Sequence, residues 1–96
     1  MSDIVIGVLQ LKMVVRGSHS LKDKRRVLKS LKDRLRHKFN ISVAEVGDLE
    51  NHQMFELGIA AVGNDRRFIN SVLSSVVGMA ESDHAAELVN QKLEII

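Results

Sequence analysis

Residues 20–39 read SLKDKRRVLKSLKDRLRHKF, and this stretch decides the fold of the chain around it. Its large apolar residues recur at three- and four-residue steps, a period that predicts one buried face of an α-helix. Ser20 supplies an N-cap hydroxyl with Asp23 three residues later, which is similar to a capping box, and Asn40 is the predicted stop. The apolar face of this helix comprises Leu21, Val27, Leu28, Leu31, Leu35 and Phe39.

Runs of apolar residues on both sides of this helix predict β-strands. Residues 4–15 alternate over two faces and form the first strand. Residues 41–46 are rich in β-branched side chains, and residues 54–62 alternate again, so both are predicted strands. The segment between them, 47–53, is a polar turn.

A second helix follows Asn64 or Asp65, either of which can serve as its N-cap, and runs to about residue 80. Its predicted buried stripe comprises Phe68, Ile69, Val72, Leu73, Val76 and Val77. Residues 85–96 alternate like a strand but also fit a helix. A βαββαβ order favours the strand, because four strands and two helices then form two layers.

These elements predict an α+β chain with a ferredoxin-like βαββαβ fold. The expected architecture is a two-layer sandwich, in which a four-stranded antiparallel sheet carries both helices on one face. We expect residues 1–96 to form a single domain, because this length is typical of one small core.

Charge is distributed very unevenly along the chain. Residues 22–38 hold nine of the fourteen Lys and Arg residues and only two of the twelve acids, which gives this segment a charge of +7. The remaining residues carry −5, although the whole chain has a net charge of only +2. Such a split predicts a surface that attracts polyanions on a body that repels them.

Six basic residues of the first helix share one flank beside its leucines on a helical wheel. We call this set the basic stripe: Lys22, Arg25, Arg26, Lys29, Lys32 and Arg36. The stripe is predicted to bind the phosphates of RNA or of the ribosome, and its alternatives are a merely solvated face or an acidic protein partner. Lys24 instead falls on the leucine face, where its amine is expected to reach the edge of the core or, less simply, to pair with Glu45.

One sheet face is expected to meet the helices and the other to lie open. The inward residues are predicted to be Val5, Leu9, Leu11, Met13, Phe55, Leu57 and Ile59. The outward residues are predicted to be Ile6, Val8, Gln10, Lys12, Ile41, Val43, Glu45, Glu56, Ala60 and Val62. Because this open face is unusually apolar, we expect a homo-oligomer, most simply a dimer, formed through Ile6, Val8, Val43, Glu45 and Ala60.

The three phenylalanines are the only aromatic residues, and they limit how RNA could be recognised. Phe39 and Phe68 are assigned to helix core stripes and Phe55 to the inward sheet face. No aromatic side chain would then remain to stack on a base. Any RNA contact is therefore predicted to follow the backbone, with little base specificity.

The sequence favours neither catalysis nor a bound cofactor. It has no cysteine, its four histidines show no ligand spacing, and its glycines make no phosphate-binding motif. We predict no catalytic residue, metal site, cofactor or small-molecule substrate, and therefore not an enzyme. No segment has the composition of a signal peptide or a membrane span, so the expectation is a cytoplasmic protein without a membrane partner.

Three stretches resemble one family of small bacterial proteins, the YlxP-like group of unknown function. They are SLKDKRRVL at 20–28, FNISVAEV at 39–46, and LGIA at 57–60 with Asn64 and Asp65. The resemblance implies a ferredoxin-like fold and a gene neighbourhood of translation and ribosome-maturation factors, but no catalytic residue. The chain departs from the family pattern in the turn 47–53, where His52 and Met54 replace a tryptophan and a following basic residue.

Overall fold

The computed structural model describes residues 3–96. Four strands and two helices follow one another in the order βαββαβ. The elements are β1 (Val5–Val14), α1 (Leu21–Lys38), β2 (Ser42–Gly47), β3 (Met54–Gly63), α2 (Arg66–Glu81) and β4 (Glu87–Ile95). The last segment, whose sequence fits a strand or a helix, is therefore a strand.

The four strands form one antiparallel sheet in the order β2-β3-β1-β4. The central pair β1 and β3 is in register over ten residue pairs, and β2 and β4 are the edges. Both helices pack on the same side, α1 over β2 and β3 and α2 over β1, β3 and β4. The predicted ferredoxin-like α+β sandwich is confirmed.

Both helices begin at the side-chain caps that their sequences provide. The Ser20 hydroxyl accepts a hydrogen bond from the Asp23 amide at 3.1 Å, and the Asp23 carboxylate in turn accepts one from the His19 amide. Of the two candidate caps for α2, Asp65 is the one used, because its carboxylate accepts from the Arg67 amide at 2.9 Å. These bonds satisfy donors that a helix end leaves free.

The core lies between the helices and the inward sheet face. All seven residues predicted to point inward are buried, and so are the helix residues Leu28, Leu31, Leu35, Ile69 and Leu73. Gly7 lets α2 approach β1 closely, because a Cβ there would lie 2.4 Å from Ile69 Cγ2 and 2.6 Å from Leu73 Cδ1. The layer of helices therefore packs tightly on the sheet at this point.

In strand β2, the residues that face the core are the ones predicted to face outward. Val43 pairs with Ile59 and Glu45 with Leu57, so both point towards the helices, and Val43 is 4% exposed. Ile41 also packs against the core. The assignment of these three residues to the open face was wrong, because the pairing register with β3 fixes the face of every residue of a strand.

Candidate nucleic-acid interface

The six residues of the basic stripe lie along one flank of α1. Five of them are exposed and Lys32 is half-buried. From Lys22 to Arg36 the helix rises about 21 Å, at ~1.5 Å per residue. Phosphates of one nucleic-acid strand are spaced about 3.4 Å apart along a duplex axis, so the stripe spans about six of them.

Two contacts on opposite sides of α1 fix the direction in which the stripe faces. On one side Arg34 forms an ion pair with Asp83, which follows α2. On the other side Arg36 Nη2 donates to the main-chain oxygen of Val43, 2.7 Å away on the edge strand β2. The stripe therefore faces away from α2 and runs beside the free edge of the sheet.

Asp83 is the anchor that holds α1 on the α2 side. Its side chain is 3% exposed, and its second oxygen accepts hydrogen bonds from the amides of Ala85 and Ala86. Burial by itself would raise the pKa of Asp83, but the hydrogen bonds from Arg34 and from these two amides outweigh it and lower the pKa. The carboxylate therefore stays ionised and pairs with Arg34 on the α2 side of α1.

Lys29 is the member of the stripe that has an acidic partner within residues 3–96. Its Nζ lies 2.8 Å from Asp33 Oδ2, one helical turn away. The hydrogen bond from Lys29 lowers the pKa of Asp33, and the charges of Lys29, Arg36 and Lys32 act in the same direction. Such an exposed pair is weak, so an approaching phosphate can compete with Asp33 for the lysine.

The simpler expectation, that the Lys24 amine reaches the edge of the core, was wrong. Its side chain is 0% exposed, and its amine donates to the main-chain oxygens of Asp48 at 2.8 Å and Leu49 at 3.2 Å. Glu45 Oε2 lies 3.5 Å from the same amine, so the alternative pairing with Glu45 is the one observed. Lys24 thus fastens the start of α1 to the turn between β2 and β3 rather than contributing to the stripe.

The surroundings of Lys24 form a small cluster of opposite charges. Asp48 has a left-handed backbone, with φ of 59°, and its carboxylate lies 3.7 Å from Lys12 Nζ. Glu45 Oε2 and Asp48 Oδ2 are buried atoms without a hydrogen-bond donor among the described residues. Lys24 therefore offsets the charge of Glu45, and Lys12 offsets that of Asp48.

The open sheet face keeps three of the five residues predicted as an oligomer interface. Ile6 is 37% exposed, and Val8 and Ala60 are half-buried beside it. Val43 and Glu45 do not belong to this face. Their places on β2 are taken by Ala44 and Val46, with Val46 53% exposed and lying over Gly58.

Phe68 is exposed where the sequence predicted a buried residue. It was assigned to the buried stripe of α2, but it is 63% exposed. On the helical wheel Phe68 and Val77 lie at opposite edges of the predicted stripe, and the structure buries the Val77 edge and leaves the Phe68 edge exposed. Phe68 and the half-buried Phe39 line a pocket of about 240 Å³ between the end of α1 and the start of α2.

The described residues offer no other obvious chemistry. No group of three or more His, Asp or Glu side chains in residues 3–96 is placed to hold a metal ion. All four histidines are exposed. In the same part of the chain, neither helix combines the length and the apolar character needed to cross a membrane.

Comparison with known proteins identifies the family. The family described as "Protein of unknown function (DUF503)" matches residues 6–93. The chain belongs to this family. It is 35% identical to the "Uncharacterized protein YlxP" of Bacillus subtilis (strain 168) over 78 residues, which are 81% of this chain and 85% of the relative. The resemblance inferred from the three sequence stretches is confirmed, and the family brings no established activity.

Solved structures support the fold alone. The de novo designed protein Foldit4 aligns with a TM-score of 0.56 at 14% identity, over 98% of this chain and 97% of that one. At this identity the likeness concerns the arrangement of strands and helices and carries nothing about function.

Proposed function

We propose that the DUF503 chain is a non-catalytic module that binds structured RNA, including that of the ribosome, through its basic stripe and with little base specificity. The observation that carries the proposal is the placement of six basic side chains on one exposed flank of α1, over about 21 Å. Phosphates attract such a row through charge and released counterions, without reading bases.

Two further features favour binding over simple solvation. A solvated helix face normally mixes both signs, whereas Asp33 is the one acid that the stripe contacts within residues 3–96. The stripe also faces away from α2 and borders the sheet edge, so an extended ligand can lie along it. The gene neighbourhood that the family resemblance implies favours RNA among polyanions.

RNA binding should weaken steeply as salt increases. For about five phosphate contacts, we expect the logarithm of the binding constant to fall with the logarithm of salt concentration at a slope of about −3 to −5. Fluorescence anisotropy with a labelled hairpin RNA, between about 50 and 200 mM KCl, measures this slope. Affinity that stays constant over this range would contradict the proposal, because contacts along the stripe must release counterions.

Self-association through the open sheet face is the second candidate function. The observation that favours it is the exposure of Val46 and Val62, 53% and 68%, on an uncovered sheet face where Val62 pairs with Ile6 and Val46 lies over Gly58. A patch of this kind is typical of an interface between protein chains. The exposed polar residues of the same face, such as Gln10 and Lys92, lie towards β4 and would form the rim.

We expect a dimer in sedimentation velocity at high protein concentration, and Val46→Glu should convert it to a monomer. The new carboxylate would have to be buried against the apolar patch of the second copy, which is costly. Leu49→Glu is the matched control, because Leu49 is 54% exposed but lies in the turn after β2. A wild-type protein that remains monomeric throughout would rule this candidate out.

A further inference from the structure

The pocket lined by Phe39 and Phe68 combines apolar and positively charged groups. Its volume of about 240 Å³ is below the roughly 300–1,000 Å³ of sites for drug-sized ligands. Ala61, Ile69 and Val72 complete its apolar lining, Val62 borders it at the end of β3, and Lys38 and Asn40 supply polar groups. A pocket of this size and lining suits one flat ring system with polar edges.

Phe68 gives this pocket an aromatic surface that the fold itself does not use. Phe68 is 63% exposed and follows directly after Arg66 and Arg67, the first two residues of α2. A small polar residue at position 68 would leave the core unchanged, because Phe68 is not part of it. Aromatic side chains at a surface are groups on which unpaired bases stack, and Phe68 and the half-buried Phe39 line this pocket together.

Positive charge borders the pocket on the α1 side. Lys38 lines the pocket, and its amine lies 5.8 Å from the centre of the Phe39 ring. On the α2 side the carboxylate of Asp65 is engaged as the helix cap, and Arg66 turns away to the main-chain oxygen of Ile95 on β4. The Lys38 amine is therefore the charged group that can meet a phosphate beside a bound base.

The pocket lies at the end of α1 where the basic stripe stops, but on the other flank of the helix. Arg36 is the last residue of the stripe, and Lys38, which lines the pocket, follows two positions later, about 200° further around the helix axis. A nucleic-acid strand that follows the stripe to Arg36 therefore has to pass around the C-terminal end of α1 to bring a base to Phe39 and Phe68.

We propose that this pocket receives one unpaired nucleobase of the RNA whose backbone lies on the basic stripe. The inference rests on the proposed function and sharpens it, because it makes RNA with an exposed base the preferred ligand over a perfect duplex. Phenylalanine can stack on any base, so the chain should prefer unpaired over paired RNA but should not distinguish one base from another.

The test compares two RNAs of the same length. One is a 20-nucleotide strand of alternating cytidine and adenosine, which cannot pair with itself, and the other is its duplex with the complementary strand. Phe68→Ala should raise the dissociation constant for the single strand about 5- to 150-fold, the range for losing one stacked base. The dissociation constant for the duplex should change less than about 2-fold, because the phosphate contacts remain.

Conservative variants separate stacking from mere apolar contact. Phe68→Trp should keep the affinity for the single strand, whereas Phe68→Leu should behave like Phe68→Ala, because leucine has no aromatic face. Val89→Ala is the control, since Val89 is also an exposed apolar residue, at 43%, but does not line the pocket. A leucine variant that binds like the wild type would overturn the stacking assignment.

The outcomes also distinguish this inference from the proposed function. If the wild type binds both RNAs and Phe68→Ala changes neither, the pocket is not a base site, while the basic stripe keeps its role. If the wild type binds neither RNA, the proposed function itself fails. A dimer that dissociates on Phe68→Ala in sedimentation velocity would show that a second copy of the chain covers the pocket, which also overturns the inference.

Discussion

Reversing two charges at the middle of the basic stripe, with Lys29→Glu and Lys32→Glu together, should weaken RNA binding at least about 150-fold. Each lysine is expected to contact a phosphate, and a hydrogen bond between charged groups contributes about 1.5–3 kcal/mol. The new carboxylates also repel the backbone, and the slope of affinity against salt should become shallower by about two. Fluorescence anisotropy of a labelled hairpin at fixed KCl measures the change.

A matched control changes the net charge equally at another place. Arg16→Glu with Lys92→Glu also removes four units of positive charge, and each residue loses an exposed ion pair, as Lys29 does with Asp33. Arg16 lies in the loop after β1 and Lys92 on β4, both outside the stripe. Equal losses in the two double variants would mean that total charge governs binding. Unchanged affinity in the stripe variant would mean that the stripe only solvates the helix.

Most of the fold could be predicted from the sequence because its signals are local. The period of the leucines in residues 20–39, the hydroxyl cap at Ser20 and the strict alternation of β1 each report one element without knowledge of its neighbours. The last strand, β4, was ambiguous by period alone and followed only from the order of the other elements. Local signals agreed with the global fold, as expected of a sequence with one native structure.

The candidate site was only partly predictable because its details depend on contacts between elements. The segment that forms β2 has apolar residues on both faces, so its pattern could not tell which one meets the helices. The pairing of Val43 with Ile59 decides this, and it is a long-range fact. The position of Phe68 depends on which part of α2 the sheet covers. The stripe itself was predictable, because six residues of a single helix define it.

Lys24 shows how a residue that breaks the sequence pattern can reveal the architecture. A lysine on a leucine face conflicts with the helical pattern, and the conflict is resolved by the turn after β2, which covers the amine and accepts its hydrogen bonds. The turn brings two main-chain oxygens and the Glu45 carboxylate to an amine that has no access to water. Burial of such a charge is tolerable only when each of its hydrogen bonds is made.

Lys24→Met should lower the free energy of unfolding by about 3–5 kcal/mol, which is a large part of the stability of an ordinary small domain. Methionine fills a similar volume but leaves the Glu45 carboxylate without its ion-pair partner and the main-chain oxygens of Asp48 and Leu49 without their donor. Urea unfolding followed by far-ultraviolet circular dichroism measures the loss, because the chain has no Trp or Tyr for fluorescence.

The same substitution on the adjacent exposed residue, Arg25→Met, is the control and should change stability by no more than about 0.5 kcal/mol. Adding Glu45→Gln to Lys24→Met should restore part of the loss, because the second change removes the unpaired carboxylate that the first one leaves. If Lys24→Met is as mild as Arg25→Met, the amine reaches water in solution and does not fasten the turn. The single variant Glu45→Gln completes the comparison. If the double variant loses the sum of the Lys24→Met and Glu45→Gln effects, Lys24 acts on the turn carbonyls without coupling to Glu45.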